Sequence, residues 1–253
     1  MNRKRKLIPV FGLLVLTFLA GCSSDGDTSI PPPVPSPATS AEGIWTGTTS
    51  TGRTVTGVVL DNEVYWFLYS VVGNPSIIAG VVQGESSSQN GTFTSSNVTD
   101  FSIERATSIL NPTVDGNYTM KQSLSGTISY QNTQDTLATT YNSEYELTPD
   151  INTIAGSYTG PVASNETVDV TVSTAGNIIG QSSATPQCTF NGLFKPRAQG
   201  NVFDVTITFG PQDTCSNKNA TVTGVGFVHA GKLYSAALNA AKTNGVVFIG
   251  TKQ

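Results

Sequence analysis

From Gly43 to the carboxyl end the chain is cut into short apolar or alternating runs by turn residues that recur roughly every 8 to 12 positions, the spacing of an antiparallel sandwich or barrel. Each run is long enough for a strand and too short for an ordinary helix. Composition points the same way. Only 12% of the residues are charged, about half the share of an ordinary soluble domain, and Ser, Thr, Asn and Gly take their place. Ser, Thr and Asn bond to nearby backbone and Gly is entropically costly in a helix, so long bundles and coiled coils are excluded. A helical membrane channel is excluded because the single long apolar run is not followed by a second.

Strands are expected over 43–49, 54–61, 63–70, 76–84, 90–95, 99–104, 117–131 as a pair, and 139–147. A second set is expected over 156–161, 167–173, 177–183, 188–195, 201–209, 220–229, 232–239 and 245–251. Asn90-Gly91, Asp115-Gly116, Asn191-Gly192 and Asn244-Gly245 are hairpin dipeptides, in which positive φ is cheap. The two halves begin alike, with Gly43-Ile44-Trp45-Thr46-Gly47 and Gly156-Ser157-Tyr158-Thr159-Gly160, which suggests a tandem repeat of about 100 residues. The seam falls at Pro149 to Thr153. The expected fold is therefore all-β, with two small antiparallel barrels of about eight strands at 42–150 and 151–253.

The most informative run is Val64-Tyr65-Trp66-Phe67-Leu68-Tyr69. Strand alternation puts Val64, Trp66 and Leu68 on one side and Tyr65, Phe67 and Tyr69 on the other, so both rows are apolar. One row can be the core. The other must be covered by a second domain, a loop, a ligand or a partner, since an exposed apolar patch of that size marks an interaction site. Tyr65, Phe67, Tyr69, Trp45 and Trp66 are the candidate binding residues.

The amino terminus carries Arg3, Lys4, Arg5 and Lys6, then fourteen residues from Leu7 to Ala20 that are too short to span about 30 Å of hydrocarbon as a lasting helix. Residues 1–21 read as a signal peptide. Leu19, Ala20, Gly21 and Cys22 resemble the lipobox of bacterial lipoproteins. The resemblance implies cleavage between Gly21 and Cys22, a diacylglyceryl group on the Cys22 thiol and acylation of the freed amine. Several acyl chains, at about 0.8 kcal/mol per buried CH₂, anchor a protein permanently. In proteobacterial lipoproteins an Asp after the cysteine resembles an inner-membrane retention signal. Ser23 and Ser24 stand there instead, so the resemblance implies the outer membrane, on either its periplasmic or its cell-surface side. The rest of 22–41, with Pro31, Pro32, Pro33, Pro35 and Pro37, has too little apolar surface to fold. It reads as a disordered Pro-rich stalk of about 40 to 60 Å, at ~3.1 Å per residue.

Gly, any residue, then Trp also opens the first strand of lipocalin and avidin-like barrels, where the Trp plugs the closed end. Gly43-Ile44-Trp45 resembles that opening. A lipidated cysteine, a stalk and two small β domains together resemble the two-barrel surface lipoproteins of the factor H-binding and transferrin-binding types. This likeness is architectural and carries no binding residue over.

Little in the chain points to catalysis. Cys188 and Cys215, 27 residues apart in an oxidising compartment, read as a structural disulfide. His229, the single histidine, excludes a metal site needing two imidazoles and has no triad around it. No Gly-x-Ser-x-Gly elbow and no Gly-rich loop opening a helix is present. Asp61 with Glu63, and Glu144 with Glu146, are the tightest carboxylate clusters, and both read as solvated strand positions. Beyond the signal peptide nine basic residues face seventeen acidic ones, a net charge of −8 that disfavours nucleic acid. The sequence reading is a non-enzymatic envelope lipoprotein, without cofactor or metal, held to the membrane through Cys22 and recognising a macromolecule such as a host protein or an envelope component. The alternative is a lipocalin-like carrier of a small apolar ligand. Cys22→Ala is expected to abolish labelling by a clickable palmitate and to move the protein out of the membrane fraction; continued labelling would refute the lipobox reading.

Overall fold

The computed structural model describes residues 40–105, 109–161 and 166–253. The signal peptide, Cys22 and the Pro-rich stalk up to residue 39 lie outside the described residues; Ala41, expected at the end of the stalk, is instead buried in the first core. Nearly all the regular structure among the described residues is strand, as expected. The first sheet contains β1 (Gly43–Thr49), β2 (Thr54–Val59), β3 (Val64–Val71), β4 (Asn74–Glu85), β5 (Ser87–Gln89), β6 (Thr92–Ser95), β7 (Thr99–Ser102), β8 (Ile109–Leu110), β9 (Thr113–Thr119), β10 (Ser123–Ser129) and β11 (Gln134–Asn142). A 3-10 turn (Ser143–Glu146) and a single helical turn, α1 (Ile151–Ile154), lead into the second set. This comprises β12 (Gly156–Pro161), β13 (Thr167–Val172), β14 (Asn177–Ser182), β15 (Thr189–Pro196), β16 (Phe203–Phe209), β17 (Thr221–His229), β18 (Lys232–Leu238) and β19 (Gly245–Lys252). These eight strands close into an antiparallel barrel, with β12 meeting β19 at Tyr158↔Lys252 and Thr159↔Thr251.

The first sheet departs from the expected closed barrel: it is an eleven-strand sheet in the order β5-β6-β9-β10-β11-β1-β2-β3-β4-β7-β8, curled round one core. The reason is local to one residue. β4 pairs with β3 as far as Val64↔Glu85, and Ser87, two positions on, already pairs with Thr94 of β6. The chain changes neighbours at Ser86, whose amide donates to the Glu63 carbonyl. Where a β4–β6 ladder would run, side chains bridge instead: Ser95 Oγ donates to the Glu85 carbonyl at 2.7 Å and the Glu85 amide donates to Asn97 Oδ1 at 3.0 Å.

The repeated opening has a common geometry. Gly43 and Gly156 both have positive φ (154° and 141°), a backbone that L side chains avoid. Two residues on, Trp45 Nε1 donates to the Ala41 carbonyl at 2.9 Å and Tyr158 OH to the Ile154 carbonyl at 3.0 Å, each four residues upstream. Each unit thus starts by folding an aromatic ring back over its own entry segment.

Two local expectations are corrected. Asp115-Gly116 and Asn191-Gly192 lie inside β9 and β15 rather than in turns. There a side chain would collide with backbone of the adjacent strand, the Ser125 and Thr206 carbonyls respectively, so the glycine serves close strand approach. The strand expected at 139–147 is β11, ending at Asn142; the Asn142 side chain accepts from the Glu144 amide and starts the 3-10 turn.

The larger correction concerns the aromatic run. Tyr65, Phe67 and Tyr69 are buried together with Trp45, Val82, Phe93 and Tyr118 in the core of the curled sheet. Trp66 and Leu68, on the opposite face, are buried with Ile44, Val58 and Val81 against Val225, Phe227, Tyr234, Ala236 and Val247 on the outside of the barrel. None of the five aromatic candidates presents a free surface, because one face of β3 is core and the other is the seam between the two β units. The seam is also tied by Arg197, which pairs with Asp61 of the first unit and Asp204 of the second. All three apolar cores lie within the single compact unit Pro37–Gln253, which therefore carries its own folding energy. Phe67→Ala is expected to cost about 3–5 kcal/mol of unfolding free energy by denaturant titration, whereas a surface-patch residue would change it by less than about 0.5 kcal/mol.

Candidate functional site

The barrel is built around inward rows in which large and very small residues alternate. Val170, Ile178, Phe190, Phe194, Ile207, Leu233 and Phe248 point inward, and so do Gly180, Ser182, Gly224, Gly226, Ser235 and Ala237, their cross-strand neighbours on the same face. Side chains at Gly180 and Gly226 would overlap the rings of Phe190 and Phe194, so these glycines seat the phenyl groups against the wall. The centre is left unfilled. A cavity of about 510 Å³ results, lined by Val168, Val170, Ile178, Phe190, Phe194, Ile207, Phe209, Leu233 and Phe248. That volume and mostly apolar lining fall in the range of small-molecule sites.

Polarity is concentrated at one end. Glu166, Ser182, Thr214, Ser216, Asn217, Thr243 and Asn244 line the cavity where β13, β15 and β19 begin and where β14, β16 and β18 end. Most of these groups brace the rim. Asn217 Nδ2 donates to the Gly245 carbonyl at 3.0 Å, Asn244 Nδ2 to the Ser216 carbonyl at 2.7 Å and Thr214 Oγ1 to the Pro186 carbonyl at 2.7 Å. Ser182 Oγ accepts from the amides of Ala184 and Cys188. Cys188 and Cys215 form a disulfide that joins the start of β15 to the loop after β16 across this rim. The other end is occupied by Tyr158 and Ile154, both buried and bonded to one another.

The first unit adds Phe101 and Ser102 of β7, and Ile103 just after it, to the lining. β7 is fixed by Asp100, which is wholly buried: Tyr69 OH donates to Oδ1 at 2.7 Å, Tyr130 OH to Oδ2 at 2.9 Å, and Arg105 pairs with Oδ2 at 3.0 Å. Burial, reinforced by the Asp100 charge, pushes the Tyr69 and Tyr130 hydroxyls well above the usual phenol range, so both stay protonated donors. For Arg105, burial works to lower the pKa, but Tyr69 and Asp100 outweigh it and hold the guanidinium charged.

The core of the curled sheet, by contrast, is nearly full. Tyr65, Phe67, Tyr69 and Phe93 leave a cavity of only about 70 Å³. The carboxylate pairs are drawn apart into structural contacts. Asp61 pairs with Arg197, while Glu63 accepts from Ser86 and Ser88. Glu144 bonds His229 Nδ1 at 2.7 Å, and Glu146 takes Lys121 and the Tyr141 hydroxyl. Among the described residues no cluster of three or more His, Cys, Asp or Glu side chains is placed to hold a metal ion.

The cavity residues were not singled out by sequence reasoning. Their signal is present in retrospect: Gly or Ser two positions from an inward aliphatic or from the next strand's Phe, repeated across β14, β17 and β18, is an inward row too small to fill a barrel.

No family model matches the chain, and no curated protein matches it in sequence. Among solved structures it is similar to isotype 1 transferrin binding protein B from serogroup B Neisseria meningitidis, at 13% identity and a TM-score of 0.29, over 80% of this chain and 58% of that one. The chain thus spans less than two thirds of that protein's length, and a likeness this distant bears on neither ligand nor partner.

Replacing Cys188 and Cys215 together by Ala is expected to lower stability by roughly 3 kcal/mol, the loop-closure value for a separation of this size, read as an equal loss in denaturant titrations with and without reductant for the variant and a reductant-dependent one for the native protein.

Proposed function

We propose that the protein is a lipid-anchored, non-catalytic binding protein of the bacterial envelope whose C-terminal barrel holds a small apolar molecule. The observation that carries this reading is the cavity of about 510 Å³ inside the closed barrel. Empty apolar volume is costly. At ~24 cal/mol per Å³, a hollow of this size forgoes on the order of 10 kcal/mol of packing as an upper bound, since part of it is open to solvent. A domain whose whole stability is typically about 5–15 kcal/mol does not carry such a hollow incidentally, and the curled sheet of the same chain is filled.

Recognition of a macromolecule through the aromatic row loses its surface, because Tyr65, Phe67 and Tyr69 lie in the core and Trp66 in the seam. The exposed large apolar side chains Val72, Met120, Leu147, Ile179 and Leu193 are spread over both units, and isolated exposed apolar residues are ordinary. The lipid anchor on Cys22 and the Pro-rich stalk complete the proposal: the carrier is held at the outer membrane and lifted off the lipid.

The neutral fluorophore N-phenylnaphthylamine is expected to bind the soluble unit Pro37–Gln253 saturably at one site. Val170→Phe, which puts a ring into the cavity, should weaken that binding by at least about tenfold while leaving the thermal midpoint within a few degrees. Equal binding by the variant, or none by the native protein, would remove the reading.

A further inference from the structure

We infer that the barrel selects against anionic ligands and takes an apolar molecule whose polar end donates hydrogen bonds, an alcohol or an amine, with that end at Glu166. This rests on the proposal that the cavity is a binding site and adds the chemical class of what enters it.

The argument is the charge inventory of the lining. Among the described residues that line the cavity, Glu166 alone is charged, and no Lys, Arg or His is among them. Glu166 stands at the polar end, just before β13, is half-buried, and has no ion-pair partner among the described residues. Among the described residues, the loops at this end bring no free cation to the cavity. Lys218, after β16, is already paired with Asp213, and Lys242, in the turn before β19, does not line the cavity. The rim's donors are partly engaged with backbone carbonyls: one N–H of Asn217 Nδ2 goes to Gly245, one of Asn244 Nδ2 to Ser216, and the Thr214 hydroxyl to Pro186.

A carboxylate or phosphate head drawn to this rim would lose hydration without gaining a countercharge and would face the Glu166 carboxylate as well. A hydroxyl or ammonium head can donate to that carboxylate, and the ammonium bond is the stronger because both of its partners are ionised. The apolar body lies against Ile178, Phe190, Phe194 and Phe248 in either case.

The test uses Pro37–Gln253 loaded with N-phenylnaphthylamine at neutral pH and three competitors that share one alkyl chain, all below their micelle concentrations: dodecanol, dodecylamine and dodecanoate. Dodecanol and dodecylamine should displace the dye, and dodecanoate should need at least about ten times the concentration. Glu166→Gln should weaken dodecylamine about tenfold, the usual effect of losing an ion pair, and dodecanol by less, since the new amide oxygen still accepts from a hydroxyl. Displacement by dodecanoate as effective as by dodecanol, displacement by none of the three, or an amine affinity unchanged in Glu166→Gln overturns the inference while dye binding keeps the cavity reading intact. Failure of the dye itself to bind overturns the cavity reading instead.

Discussion

β3 has no polar face, and the arrangement of the molecule follows from that. A strand with Tyr65, Phe67 and Tyr69 on one side and Trp66 and Leu68 on the other must be covered twice. Curling the first sheet buries one row; packing that sheet against the outer face of β17, β18 and β19 buries the other. The second contact requires the barrel to be apolar on its outer wall there, which Val225, Phe227, Tyr234 and Ala236 supply, with Phe227 and Tyr234 stacked at 5.4 Å. The two units are thus joined through their strands. Arg197, between Asp61 and Asp204, adds a directional tie at the margin of an otherwise apolar contact.

The same placement fixes the site. Once the sheet is seated on the barrel, β7 reaches the rim and contributes Phe101 and Ser102 to the lining. Asp100, between them and the Tyr69, Tyr130 and Arg105 groups, keeps β7 in place with every partner a donor. A fully buried carboxylate is tolerable only when so satisfied. The rim is held on its other side by the disulfide and the Asn217 and Asn244 bonds, so a barrel with a hollow centre has a braced edge rather than a filled core.

The two halves open alike and end in opposite fillings. Each begins with a positive-φ glycine and an aromatic residue bonded to the carbonyl four residues before it. The inward positions then diverge. In the curled sheet they carry Trp45, Tyr65, Phe67, Tyr69, Phe93 and Tyr118, and little space remains. In the barrel they carry Gly180, Ser182, Gly224, Gly226, Ser235 and Ala237 beside a ring of phenylalanines, and a ligand-sized space remains. The two halves share their opening device and differ both in closure and in the volume of the inward row, and the closed one with the smaller inward residues is the hollow one.

Much of the fold was legible in the chain. Alternation and turn spacing placed β1 and β12 at their observed limits and most of the barrel strands within a residue or two, because a period of two and a positive-φ turn are local properties. The disulfide was legible as well, from spacing and compartment. What the chain could not decide was where a long-range partner would lie. It did not reveal that Ser86 would change neighbours and leave the first sheet open, that Asp115-Gly116 and Asn191-Gly192 would serve close approach instead of turns, or which side of β3 would face its own sheet's core and which the barrel. It named Tyr65, Phe67 and Tyr69 as a surface, and passed over Glu166 and the phenylalanines of the cavity. The sequence by itself determined strand positions, alternation and the repeated opening, since these depend on residues a few positions apart. Only the tertiary structure decided what is covered and what is hollow, since burial and cavity volume depend on side chains from strands dozens of residues apart meeting across one core.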